Sequence, residues 1–276
     1  MGMAGIKEGK TVFLVGSLLG VWPGQKFGGV VSRPENLHIV SIDTIAMRGC
    51  VNFLIKHCGA PEEIKKVRIY NMEEDARKAY ASDTEWDYEF YNTLLDTYRR
   101  IRDRCTGGVH AMLTSSLTAV GQALKRSLSG KPGAGQKKGS GMDMAKWDAL
   151  GSQLAEIRNV AQLDAAHCVW EAHLDKKTEG TGHEEVTKDT LSLQGSTGKS
   201  FAMNVGMPFR LRKMPGQKYK THPAVDQVVI ETKPSLSFLS QGRGFAELAD
   251  RETDLTSVLR KLGYKVGHYG QKKLAQ

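Results

Sequence analysis

Residues 11–29, TVFLVGSLLGVWPGQKFGG, set a short apolar run against a glycine-studded turn. A phosphate-cradling loop begins this way. Backbone N–H groups converge on the phosphates, a lysine reaches the β and γ oxygens, and a Ser or Thr hydroxyl binds Mg²⁺. Here Gly16, Gly20 and Gly24 would supply the backbone freedom, and Lys26 is the nearby lysine. Counted from Gly16, however, the lysine position holds Trp22, and no hydroxyl follows Lys26. On residues alone, an ordinary glycine turn is the better reading. A second candidate, GSTGKS (195–200), ends like a phosphate loop, but Leu193 stands where the first glycine is required. It also follows a polar loop, not a buried strand.

Other chemistries find little support. HExxH and GxSxG are absent, and no Cys/His spacing suggests a metal site, so no metal is expected. Cys50, Cys58, Cys105 and Cys168 contain no CxxC pair and read as reduced, mostly buried thiols. His167 reads as a core histidine.

The elements that would position such groups follow from apolar spacing. Strands are expected at Thr11–Val15, Leu37–Asp43, Val67–Tyr70, Val109–Leu113 and Ala165–Trp170. Helices are expected at Ile45–His57, Glu85–Arg104 and Asp143–Leu163, with a short one at Asp254–Leu262. In the long helix, Trp86, Phe90, Leu94, Tyr98 and Ile101 share one face, which marks packing against a sheet. SGKPGAGQKKGSG (129–141) predicts a flexible basic loop, and residues 175–189 predict a polar one. Two late strands, around residues 209–212 and 228–232, form a hairpin expected to extend one sheet edge. Strands alternating with helices imply an α/β fold, a mostly parallel sheet covered on both faces.

The net charge of +9 and pI near 9.3 suggest a polyanionic partner. Basic residues cluster twice: Lys125, Arg126, Lys131, Lys137 and Lys138, then Arg210, Arg212, Lys213, Lys218 and Lys220. With Tyr219 as a stackable aromatic, they suit sequence-independent contact with a nucleic-acid backbone, and a solvated basic loop is the alternative reading. No apolar run approaches the ~20 residues that cross a bilayer, and the N-terminal residues lack a signal-peptide stretch, so the expected location is cytoplasmic.

Six stretches carry a family resemblance: SIDT (41–44), MLTSSLTAVGQAL (112–124), MDMAKWDALGSQLAEIRN (142–159), HCVWEAHLDKK (167–177), LQGSTGKSFAMNVGMPFRLRK (193–213) and IETKPSLSFLSQGRGFAEL (230–248). In order and spacing they resemble the RecA-like P-loop ATPases, specifically the phage single-strand-annealing recombination ATPases. The likeness spans residues 9–265. It implies a RecA-like domain over residues 1–248, followed by a C-terminal helix and basic tail at 249–276. It further implies ATP and Mg²⁺ as ligands, single-stranded DNA as partner, self-assembly, and the host cytoplasm as location.

By the same resemblance, Gly16, Gly20, Gly24, Lys26, Thr114, Ser115, Lys233 and Arg243 would approach the nucleotide. Asp43, Glu171 and His173 would sit at strand ends, where a carboxylate could orient water. The family's magnesium-site aspartate aligns near Thr114, however, and a hydroxyl cannot supply that charge. Together with the missing loop lysine, this loss should cost most phosphoryl-transfer catalysis. The pattern is also poorest within residues 17–27, where a local frame change in the gene is one explanation. The alternative function is a non-catalytic DNA-binding or assembly protein that keeps the fold without the nucleotide.

Overall fold

Leu37–Ser41 (β1) is buried along its whole length, as befits a central parallel strand covered on both faces. In the computed structural model it pairs in parallel with β2 (Arg68–Asn71) on one side and β3 (His110–Ser115) on the other. β3 pairs in parallel with β4 (Ala166–Glu171), giving the sheet order β2-β1-β3-β4. The structure describes residues 9–72, 74–75, 83–130, 142–162, 166–179, 186–191, 209–232, 248 and 251–270.

Two cores flank this α/β sheet. Leu37, Ile39, Ala111 and Leu113 face one core with α1 (Lys10–Leu18), α2 (Thr44–Cys58) and residues of the C-terminal segment. Val40 and Met112 face the other with α3 (Asp83–Arg104), α4 (Leu117–Gly130) and α5 (Met144–Ala161). Alternate strand residues therefore serve opposite layers. The expected stripe on α3 is seen from Phe90 onward, where Phe90, Leu94, Tyr98 and Ile101 are fully buried.

The first expected strand is a correction. Thr11–Val15 lies within α1, whose residues Val12 to Leu18 are all buried. A short apolar run closed in on every side has no periodicity to separate helix from strand. The first strand is therefore β1, and the glycine turn follows a helix.

Two further expectations change. Within the polar stretch 175–189, β5 (Leu174–Glu179) and β6 (Val186–Leu191) pair antiparallel as a separate hairpin. The late hairpin does not extend the main sheet. β7 (Arg210–Tyr219) and β8 (His222–Glu231) form their own sheet with β9 (Arg251–Glu252). Val225, Val228 and Ile230 of β8 are buried in the α1/α2 core, so this hairpin caps a helical layer.

The C-terminal segment joins that same core. Leu255, Val258 and Leu259 of α6 (Leu255–Lys261) are buried there, with Val266 beyond the helix. Among the described residues, no helix is long and apolar enough to cross a membrane.

Candidate functional site

In an open parallel sheet, ligands gather at the carboxyl ends of the strands where strand order reverses. Here that point lies between β1 and β3, with Ser41 paired to Ser115 and Ser115 to Glu171. Glu171 is half-buried and both carboxylate oxygens are engaged. Oε1 accepts a hydrogen bond from Thr11 Oγ1 at 2.5 Å, and Oε2 accepts one from Ser115 Oγ at 2.6 Å. The carboxylate thus ties α1 to β3 and β4. Beside it, burial first, then the charges of Glu171 and Asp43, push the Cys50 thiol up to about 12. Cys50 is therefore a protonated, inert packing group.

Asp43 and His173 are exposed at the same edge. Asp43 is the N-cap of α2, its Oδ1 accepting from the Ala46 N–H at 2.9 Å, while its own N–H donates to Ser41 Oγ at 3.0 Å. The backbone N–H of His173 donates to Thr118 Oγ1 at 3.0 Å, joining the turn after β4 to the start of α4. Thr114 points the other way: it is fully buried, with its hydroxyl 3.0 Å from the Tyr98 hydroxyl under α3. Strand alternation separates Thr114 from Ser115, so only Ser115 reaches Glu171.

The glycine turn lies elsewhere and is filled from within the chain. A Cβ on Gly16 would meet Leu54 at 2.9 Å, and one on Gly24 would meet Tyr219 at 2.8 Å. At Gly20, with φ of +69°, it would lie 2.1 Å from the Gly29 nitrogen and 2.4 Å from the Tyr269 carbonyl oxygen. Trp22 is buried between Phe13 and Tyr219, with its Nε1–H donating to the Tyr219 hydroxyl at 3.1 Å. The backbone N–H groups of Lys26 and Phe27 donate to Asp254 Oδ2 at 3.2 and 3.3 Å. Asp254 Oδ1 also accepts from the Thr256 N–H at 2.9 Å, capping α6. The turn does cradle an anion, and that anion is the chain's own carboxylate. Burial raises the pKa of Asp254, while the N–H groups of Phe27, Ser257, Thr256 and Lys26 act in the opposite direction.

The basic residues are distributed over two elements. Lys125 and Arg126 lie on α4, with Lys125 Nζ over the Trp147 ring, 5.4 Å from its centroid, and Arg126 exposed. On the hairpin, Glu231 pairs with Arg210 at 3.7 Å and Arg212 at 3.3 Å. Asp226 takes Lys213 at 2.7 Å and also Lys218. Residues 209–232 contain five basic and two acidic residues, so each carboxylate braces two cations and the surface stays positive. Tyr219 is half-buried against Trp22 and Gly24, committed to packing along part of its ring. Lys131, Lys137, Lys138, Lys233, Arg243 and the 195–200 stretch lie outside the described residues.

At the opposite, amino-terminal edge of the sheet is a group that the sequence reading missed. His38 and His110 are buried side by side on β1 and β3, with rings stacked 5.6 Å apart. One ligand atom from each of His38, His110 and Cys105 lies within 4.8 Å of the others. Burial, then the charges of His110, Arg68 and Arg104, hold the His38 imidazole down to about 4, leaving it neutral near pH 7. A C-x₄-H spacing joins Cys105 to His110, but His38 enters only through the register of β1.

His167 is only half-buried, 2.6 Å from the Lys265 carbonyl oxygen through Nε2. No protein-family model, curated protein or solved structure matches this chain.

Proposed function

We propose that this chain is a RecA-like, phage-recombination-type protein that binds single-stranded DNA and assembles with its own copies without binding or hydrolysing ATP. The observation that carries this reading is the pair of N–H bonds from Lys26 and Phe27 to Asp254. A phosphate loop must keep such groups free for its ligand, and here an internal carboxylate takes them. Trp22, in the place of the loop lysine, is buried in an aromatic cluster. Without that cation or a magnesium-binding carboxylate at Thr114, the developing charge of phosphoryl transfer lacks its main stabilisers. The DNA-binding half rests on the cation excess of the β7–β8 hairpin, on Lys125 and Arg126, and on the overall charge of +9.

One observation favours a second reading, ATP binding with Mg²⁺ at the main sheet. Ser41, Ser115 and Glu171 do converge at the switch point, where an open α/β sheet receives ligands. Calorimetric titration with Mg-ATP separates the two. The first reading expects no heat of binding at millimolar nucleotide and no phosphate release with or without single-stranded DNA. Saturable binding would establish the second.

A further inference from the structure

We propose that His38, Cys105 and His110 form a binding site for one zinc-class divalent metal ion, with an open fourth position facing the turn at residues 106–108. His38 Nε2 and His110 Nδ1 face each other at 3.3 Å, and the Cys105 sulfur lies within 4.8 Å of one nitrogen of each ring. In a tetrahedral site with Zn–N bonds of about 2.0–2.1 Å, two ligand nitrogens stand about 3.3–3.4 Å apart. The two imidazoles already hold that edge.

The outer nitrogens are also arranged for metal ligation. His38 Nδ1 is 3.1 Å from the Tyr70 hydroxyl, and His110 Nε2 is 3.3 Å from the Thr106 carbonyl oxygen. Metal-bound histidines characteristically donate their second N–H to such partners, which fixes the tautomer and orients the ring. The Asn36 side-chain amide, 2.9 Å from His110 Nε2, can also accept once its oxygen is turned toward the ring.

Protons balance simply. Without metal, the Tyr70 O–H can donate to His38 Nδ1, His38 Nε2–H to His110 Nδ1, and His110 Nε2–H to Thr106. On metal binding, the His38 proton moves to Nδ1 and points at the Tyr70 oxygen. Both facing nitrogens then present lone pairs. The Cys105 thiol becomes thiolate, so one proton is released per metal ion. Arg104, whose Nη1 donates to the Tyr70 hydroxyl at 3.3 Å, and the nearby Arg68 oppose a cation, and the thiolate offsets that charge.

Access comes from the Cys105 side. Both histidines are buried, whereas Cys105 is half-exposed at the end of α3 and residues 106–108 are exposed. One thiolate and two imidazoles suit Zn²⁺ or Co²⁺ over oxygen-seeking Mg²⁺ or Ca²⁺.

The test is titration of the full-length, chelator-treated protein with Co²⁺, followed by absorbance. The expected result is one equivalent bound, with a thiolate-to-cobalt charge-transfer band and tetrahedral ligand-field bands, all displaced by Zn²⁺. Cys105→Ser should abolish the charge-transfer band while leaving the far-ultraviolet circular dichroism unchanged. Cys168→Ala, at a neighbouring thiol, should retain it. Tyr70→Phe should keep the spectrum but weaken binding about tenfold through the lost outer partner. Absence of a charge-transfer band in the wild type would overturn the site, as would a band that survives Cys105→Ser or disappears in Cys168→Ala.

Discussion

The backbone N–H of Lys26 donates to Asp254 Oδ2 at 3.2 Å, across 228 residues of sequence. Together with the Phe27 bond, it closes the glycine turn onto the N-terminus of α6. Asp254→Ala should therefore cost about 2 kcal/mol, through a lost helix cap and two N–H groups left without their acceptor. Urea unfolding of the variant checks this. A cost near zero would mean the turn does not depend on its carboxylate.

Glycines with positive φ should divide by packing. Gly20 combines positive φ with a Cβ position 2.1 Å from backbone, so Gly20→Ala should destabilise by about 3 kcal/mol or more. Gly59 and Gly107 also have positive φ but open space around the Cβ position, and alanine there should cost only about 1–2 kcal/mol. Thermal melts of the three variants give the ranking directly. Equal losses would show that packing against Tyr269 and Gly29 contributes nothing.

Glu171 offers a separation of structure from DNA binding. Its two oxygens hold Thr11 and Ser115, so Glu171→Ala should cost about 2 kcal/mol in stability. Affinity for single-stranded DNA should stay within twofold of wild type. A large loss of DNA affinity in a folded variant would place Glu171 in the binding machinery.

The hairpin carries a pH-dependent bond set. Hydrogen bonds from Lys213 and Lys218 hold the Asp226 carboxyl below its ordinary value of 3.8. A depressed carboxylate stabilises the fold above the unfolded-state value, and that contribution is lost as pH falls from there through the folded value. NMR titration should find an Asp226 midpoint below 3.8, moving upward in Lys213→Ala. An unshifted midpoint would show that these pairs do not persist in solution.

Legibility in the sequence followed periodicity. The stripe from Phe90 to Ile101, the helix Thr44–Cys58 and the buried strands at Leu37 and His110 all carried patterns of the right period and length. The run at Thr11–Val15 did not, because α1 is buried on nearly every side. With α1 a helix, the glycine turn no longer follows a strand, the place where an α/β sheet would offer a phosphate loop. Asp254 was invisible as the turn's anion because it arrives from the far end of the chain. Likewise, His38 meets Cys105 and His110 only after β1 and β3 pair. Glu171 could be placed at a strand end, while the donors that engage it come from α1 and β3.

The central claim, DNA binding without nucleotide turnover, is tested most directly by one titration. A fluorescent single-stranded oligonucleotide is titrated with protein at several salt concentrations, with and without Mg-ATP, while phosphate release is monitored. The account predicts binding that weakens with salt, by a slope of about −0.7 in log K per phosphate contacted. It also predicts isotherms that superimpose with and without ATP, and no phosphate release. Binding that requires ATP, DNA-stimulated hydrolysis, or no binding even at low salt would contradict it.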